Sequence, residues 1–162
     1  MLCVFVVLLH DRRRVVHVNV TAHPTAAWTA QHIREAWPWD SAPRFVIRDR
    51  DGIYGPDVQT TMRAMGLEEV VIAPRAPWQN PFVARVIGSL RREGHHHVIV
   101  WNERWLRRHL RQYLAYYHEW RTHLSLDKAA PAPRAAQLPT CGTIVPISHL
   151  GGLNHHDERR AA

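Results

Sequence analysis

The chain has 162 residues, enough for one compact domain that buries its own core and too few for two full ones. Apolar residues make up 46% and charged residues 22%, which argues against wholesale disorder. Lys and Arg outnumber Asp and Glu by 21 to 14, and Lys128 is the only lysine. The formal charge of +7 is therefore carried almost wholly by guanidinium groups, whose planar fork suits phosphate, and a polyanion is the expected partner.

The run Leu2 to Leu9 is apolar and is followed by a charged turn. It is far too short to span a bilayer, and it has neither a basic start nor a small-residue cleavage site. We read it as a buried strand, with no membrane partner. Arg14 to Val20 resumes with valines at 15, 16, 18 and 20, which gives a second, antiparallel strand. Pro24 opens a helix over Thr25 to Trp37, with Ala26, Ala30, Ile33 and Trp37 at helical spacing and Pro38 as its stop. Phe45 to Arg48 is a short strand that runs into Asp49-Arg50-Asp51-Gly52. Pro56 to Met65 is a helix closed by Gly66, and Glu69 to Ala73 is another strand, ended by Pro74.

Asn80 is placed to cap a helix that begins at Pro81 and carries Val83, Val86, Ile87 and Leu90 on its core stripe. A longer helix starts near Asn102, with Leu106, Leu110, Tyr113, Leu114 and Tyr117 inward and Arg104, Arg107, Arg108 and Arg111 mostly outward. The domain division is 1–128 for the core and 129–162 for an Ala/Pro-rich linker and C-terminal tail, extended over Ala129 to Pro139 and frayed from Gly151. The order of elements is that of an α/β fold with a mixed sheet flanked by helices.

Cys3 and Cys141 have no ligand spacing, so neither a zinc site nor a disulfide framework is indicated and a reducing compartment fits. His95-His96-His97 reads as a solvated turn, because consecutive residues cannot face one ion from a regular element. The aromatic residues of the long helix are core or rim packing rather than base-stacking platforms. No helix-turn-helix is evident.

An acidic strand end followed by a helix, a strand, a Pro-rich turn and a second helix is the order a two-metal nuclease uses, since compact carboxylates must hold paired Mg²⁺ ions against a phosphodiester. The motifs Asp49-Arg50-Asp51-Gly52-Ile53-Tyr54, Ala76-Pro77-Trp78-Gln79-Asn80-Pro81, Gly88-Ser89-Leu90-Arg91-Arg92-Glu93 and Arg121-Thr122-His123-Leu124-Ser125-Leu126, with Tyr116-Tyr117-His118, are those of a known group. Over Leu2 to Lys128 the chain resembles the integrase catalytic core of bacterial insertion-sequence transposases, relatives of retroviral integrases. The resemblance implies a ribonuclease H-like fold, Mg²⁺-dependent DNA cleavage and strand transfer by an Asp-Asp-Glu triad, DNA as partner, homo-oligomers or an intact transposase as further partners, and a bacterial cytoplasmic, nucleoid-associated location.

The departures matter as much as the match. The resemblance aligns Asp49 with the family's second acid, with Asp51 as the nearby alternative for a metal ligand, and thirty-four residues separate Asp49 from position 84, where the family has its Glu and this chain has Ala84. The strand carrying the family's first Asp falls before Met1, so the sheet is expected to lack it. Glu93 follows Ala84 by nine residues, about 900° of α-helical rotation and about 13 Å of rise, and so faces away. Catalysis is expected to be impaired. Gln79, Asn80, Arg91 and Arg92 are the candidate DNA contacts; Arg91 and Arg92 equally complement a helix dipole, and Arg91 falls seven residues after Ala84, on its face. The alternatives are a remnant that binds DNA or an intact transposase without catalysis, and a pseudogene fragment.

Overall fold

A computed structural model describes residues 1–38, 41–94 and 98–161. His95, His96 and His97, read above as a solvated turn, lie outside the described residues. By internal contacts the chain forms two compact units, Met1–Leu8 with Val15–Val86, and Leu9–Arg14 with Ile87–Ala162.

In the first unit β1 (Cys3–Leu9) pairs with β2 (Arg14–Thr21). The three-residue turn Asp11–Arg13 between them admits only antiparallel pairing. The expectation of a buried β1 holds for Phe5 alone, at 6% exposure; the other residues of the strand are half-buried. The reason lies in the topology, because among the described residues β1 is hydrogen-bonded to β2 alone and the ladder is two strands wide. The helix α1 (Ala26–Ala36) is capped by Thr25, whose Oγ1 accepts the Trp28 N–H at 3.1 Å.

The strand β3 (Phe45–Arg48), the helix α2 (Pro56–Ala64) and β4 (Glu68–Val71) make a parallel βαβ unit, with Phe45 opposite Glu68 and Arg48 opposite Val71. Antiparallel and parallel pairs thus both occur, as the mixed α/β reading requires, but as separate two-stranded ladders. One core joins them: Phe5, Ala30, Ile33, Ala36, Trp37, Val58, Met62 and Leu67 are buried together, with Val7, Val46, Ile53 and Tyr54 packed on the rim. Helices α1 and α2 supply most of this cover.

The helix α3 (Pro81–Ser89) is continued by a π-helical segment, Leu90–Gly94. The expected Asn80 cap does not form. Its Oδ1 is buried with no hydrogen-bond partner, and only its main-chain oxygen meets the Ala84 N–H, at 3.3 Å. The tight turn Pro77–Gln79 leaves Asn80 at ψ 58°, whereas the working caps Thr25 and Asn102 are extended at ψ 161° and 176°.

In the second unit α4 (Glu103–Glu119) buries Leu106, Leu110, Tyr113, Leu114 and Tyr117, as its periodicity predicts, and Asn102 caps it by accepting the Trp105 N–H at 2.8 Å. Residues 133–138 are exposed and without regular structure. Beyond them the structure departs from the expectation of a frayed end: β5 (Thr143–His149) and β6 (Asn154–Arg160) form an antiparallel hairpin in full register from Thr143–Arg160 to His149–Asn154. Trp120 anchors it by stacking on His156 at 3.3 Å between ring centres. No helix among the described residues is long and apolar enough to cross a membrane.

Candidate functional site

Asp49 and Asp51 follow the end of β3 directly and both are exposed. Each spends one carboxylate oxygen on the turn: Asp49 Oδ1 accepts the Asp51 N–H at 3.1 Å, and Asp51 Oδ1 accepts the Ile53 N–H at 3.0 Å. This Asx geometry is why two aspartates two apart end the strand so sharply. Arg50 ties the turn to the end of β4 through the Ile72 carbonyl at 3.1 Å, and Arg48 pairs with Glu69 at 2.5 Å.

Tyr54 and Cys3 record the field of the two acids. Burial pushes the Tyr54 hydroxyl well above its usual value, and the charges of Asp49 and Asp51 push the same way. The Cys3 thiol is raised by burial and by Asp51. Both stay protonated at neutral pH, so neither offers an anionic ligand beside the carboxylates. The Arg48 guanidinium lies over the Tyr54 ring at 5.2 Å, which offsets part of the negative charge.

Two Mg²⁺ ions need several shared carboxylate oxygens. Among the described residues no third Asp, Glu, His or Cys completes a metal-ligating group with Asp49 and Asp51. Ala84 lies exposed on α3 and offers no ligand atom. The described residues therefore do not fit a two-metal centre.

Glu93 is engaged elsewhere. Its Oε1 accepts from Arg121 Nη2 at 2.7 Å, and its Oε2 accepts from Arg121 Nε at 2.8 Å and from the Tyr113 hydroxyl at 2.7 Å. Burial raises the Glu93 pKa, but the hydrogen bonds from Arg121 and Tyr113 outweigh it and hold the carboxyl below the usual range. Arg121 also donates to Ser89 Oγ at 3.2 Å and packs over the Tyr117 ring. The motif residues Ser89, Glu93, Tyr117 and Arg121, together with Tyr113 from the inward stripe of α4, are thus one structural network. The rotation that turns Glu93 away from Ala84 assumes an α-helix throughout, and the α-helical register ends at Ser89. The same change removes the basis for placing Arg91 on the face of Ala84.

Of the candidate DNA contacts, Gln79 is exposed but its Oε1 accepts the Ala73 N–H at 2.7 Å, strutting the loop after β4, so its Nε2 is the group left to face a ligand. Asn80 turns its Oδ1 inward. Arg91 and Arg92 are exposed, and the Arg92 guanidinium lies over Gly88, 3.1 Å from where a Cβ would sit. A glycine there admits the arginine. On α4, Arg104, Arg108 and Arg111 are exposed on one stripe while Arg107 is held by Glu103 at 3.1 Å.

A cluster that sequence reading missed lies on β2 and α1, where His17, His32 and Glu35 bring one ligand atom each within 4.8 Å. The signal was present, since His32 and Glu35 stand at i, i+3 on one helix face. The partner on the strand has no such marker.

The architecture is that of a ribonuclease H-like α/β fold. The chain is similar to one chain of the cryo-EM structure of the simian T-cell lymphotropic virus intasome in complex with PP2A regulatory subunit B56 gamma, with a TM-score of 0.61 at 13% identity over 95% of its residues. It spans 59% of the length of that chain. A family model described as integrase core domain matches residues 65–131, the stretch from the end of α2 through the Arg121 motif. No curated protein matches in sequence.

Proposed function

We propose that this chain derives from DNA integrases and transposases of the Asp-Asp-Glu class and acts on DNA by binding it, with its own strand-transfer chemistry impaired. The single observation that carries the proposal is the pairing of an intact Asp49–Asp51 turn at the end of β3 with an exposed Ala84 on α3, at the spacing where the family places its glutamate. The integrase core match over 65–131 and the ribonuclease H-like fold support the lineage. The lack of a third ligand among the described residues supports the loss of Mg²⁺-dependent cleavage. Asp49 is the surviving acid, and Asp49 and Asp51 together hold at most one weakly bound, largely hydrated Mg²⁺.

DNA binding rests on charge. Arg104, Arg108 and Arg111 project from one side of α4 at i, i+4, i+7, a spacing that tracks a phosphate backbone; Arg91 is a further exposed cation of the same unit, and Gln79 Nε2 is a separate donor on the first unit. Each phosphate neutralised releases counterions, so affinity falls steeply with salt. Three arginine contacts steepen the log–log slope by about 3. Fluorescence anisotropy on a duplex oligonucleotide over a salt series measures this, with the triple variant Arg104→Gln, Arg108→Gln, Arg111→Gln as control. A parallel plasmid-nicking assay with Mg²⁺ tests the impairment. Salt-independent binding overturns the DNA reading, and robust nicking that Asp49→Asn abolishes overturns the loss of catalysis.

A further inference from the structure

His17 on β2 and His32 and Glu35 on α1 form a second site of a different chemistry. His32 Nδ1 lies 2.7 Å from Glu35 Oε2 and 3.2 Å from His17 Nε2, and His17 Nε2 lies 3.9 Å from Glu35 Oε2. A hydrogen-bond chain does not satisfy this arrangement well. A neutral His32 has one proton to share between two acceptors on the same nitrogen, and its other nitrogen faces the Asn19 amide at 3.0 Å. A cation that accepts a lone pair from each of the three atoms resolves the conflict.

The distances fit such an ion. The point equidistant from the three atoms lies about 2.0 Å from each, the Zn–N and Zn–O bond length. Their mean separation is about 3.3 Å, the edge of a tetrahedron with bonds of that length, so closing the widest pair and opening the narrowest completes three corners. The site lies at the edge of the fold, since Glu35 is exposed while His32 is buried. The supporting shell is in place: Gln31 Nε2 donates to Glu35 Oε1 at 2.9 Å, which leaves Oε2 for the ion, and Trp28 packs its edge against the His32 ring at 4.3 Å. With Nδ1 on a metal the proton of His32 moves to Nε2, and the Asn19 amide, whose Oδ1 accepts the Val20 N–H at 2.8 Å, gives up that bond to turn its oxygen toward it. Two imidazoles suit Zn²⁺, Ni²⁺ or Cu²⁺ and not Mg²⁺.

We propose that His17, His32 and Glu35 bind a borderline divalent transition-metal ion of the Zn²⁺ class, crosslinking β2 to α1. The test uses the full chain with His95→Ala, His96→Ala and His97→Ala, which removes a competing run of imidazoles. Zn²⁺ is titrated against a chromophoric chelator, and thermal unfolding is followed with Zn²⁺ or Mg²⁺. The expected result is one high-affinity Zn²⁺ per chain that raises Tm, at least a tenfold loss of affinity in His17→Gln and in Glu35→Gln, and no effect of Mg²⁺. Both substitutions fall outside the hydrophobic core, and far-UV circular dichroism checks that the variants fold. Equal Zn²⁺ affinity in parent and variants, or no stoichiometric binding in the parent, overturns the proposal.

Discussion

Replacing Arg121 by methionine tests whether the Glu93 network is the structural centre of the second unit. Methionine keeps the stem that packs beside Tyr117 and deletes the two-pronged pair that Arg121 makes with Glu93 at 2.7 and 2.8 Å. The Arg121 and Glu93 side chains are 22% and 28% exposed. Breaking a fully buried pair costs about 3–5 kcal/mol because a charge is left stranded, and partial solvent access here brings that down to about 2–3 kcal/mol. For a chain of this length the loss lowers Tm by about 5–10 °C. The pH dependence has a definite sign. The folded Glu93 pKa lies below the ordinary glutamate value of 4.5, so its contribution is fully present above 4.5 and lost as pH falls through the depressed folded value. Arg121→Met therefore flattens the acid limb of the stability curve, and a double variant with Glu93→Gln costs less than the two singles added. Thermal denaturation between pH 3 and pH 8 reads all three effects. A Tm within about 1 °C of the parent at pH 7 refutes the reasoning.

Two asparagines at helix starts should behave oppositely. Asn102→Ala removes the cap of α4 and destabilises by about 1 kcal/mol, while Asn80→Ala removes a buried oxygen that has no partner and stays within about 0.5 kcal/mol of the parent or stabilises; chemical denaturation compares them. Gln79→Glu keeps the acceptor that holds the Ala73 N–H but replaces a donor by a negative charge, so stability stays within about 0.5 kcal/mol while DNA affinity in the anisotropy assay drops. An unchanged affinity removes Gln79 from the DNA-facing set.

What the sequence made legible is what local physics decides. The valine alternation of β2, the Pro24-Thr25 start of α1, the Pro56 to Gly66 limits of α2 and the inward stripe of α4 all fall where periodicity and capping put them, because each depends on neighbours within a turn or two. The hairpin β5–β6 escaped for the opposite reason. The strand β6 reads Asn-His-His-Asp-Glu-Arg-Arg, with no β-branched residue, and Pro146 inside β5 argues against a strand. Its stability comes from Trp120, distant in sequence, stacked on His156, and from the His149–His156 contact at 2.7 Å across the hairpin. The one local clue was Gly151-Gly152, both at positive φ in the turn.

The site divides along the same line. The Asp49–Asp51 turn was readable because Asx turns are written in adjacent residues, and Ala84 was readable because spacing survives in sequence. The fate of Glu93 was not. Its placement was argued from α-helical rotation, yet the helix changes to π geometry one residue after Ser89, and no residue from Leu90 to Gly94 breaks an α-helix except the last. The change is tied to a tertiary partner: Arg121, twenty-eight residues on, holds both carboxylate oxygens of Glu93. With its acid fully used there, Glu93 is withdrawn from metal chemistry by its partners rather than by its angle on a helix. That distinction is testable within the Arg121→Met variant, because freeing the carboxylate leaves Mg²⁺ binding and nicking unchanged if Glu93 has no place at the Asp49–Asp51 turn, and a gain of Mg²⁺-dependent nicking returns it to the candidate ligands.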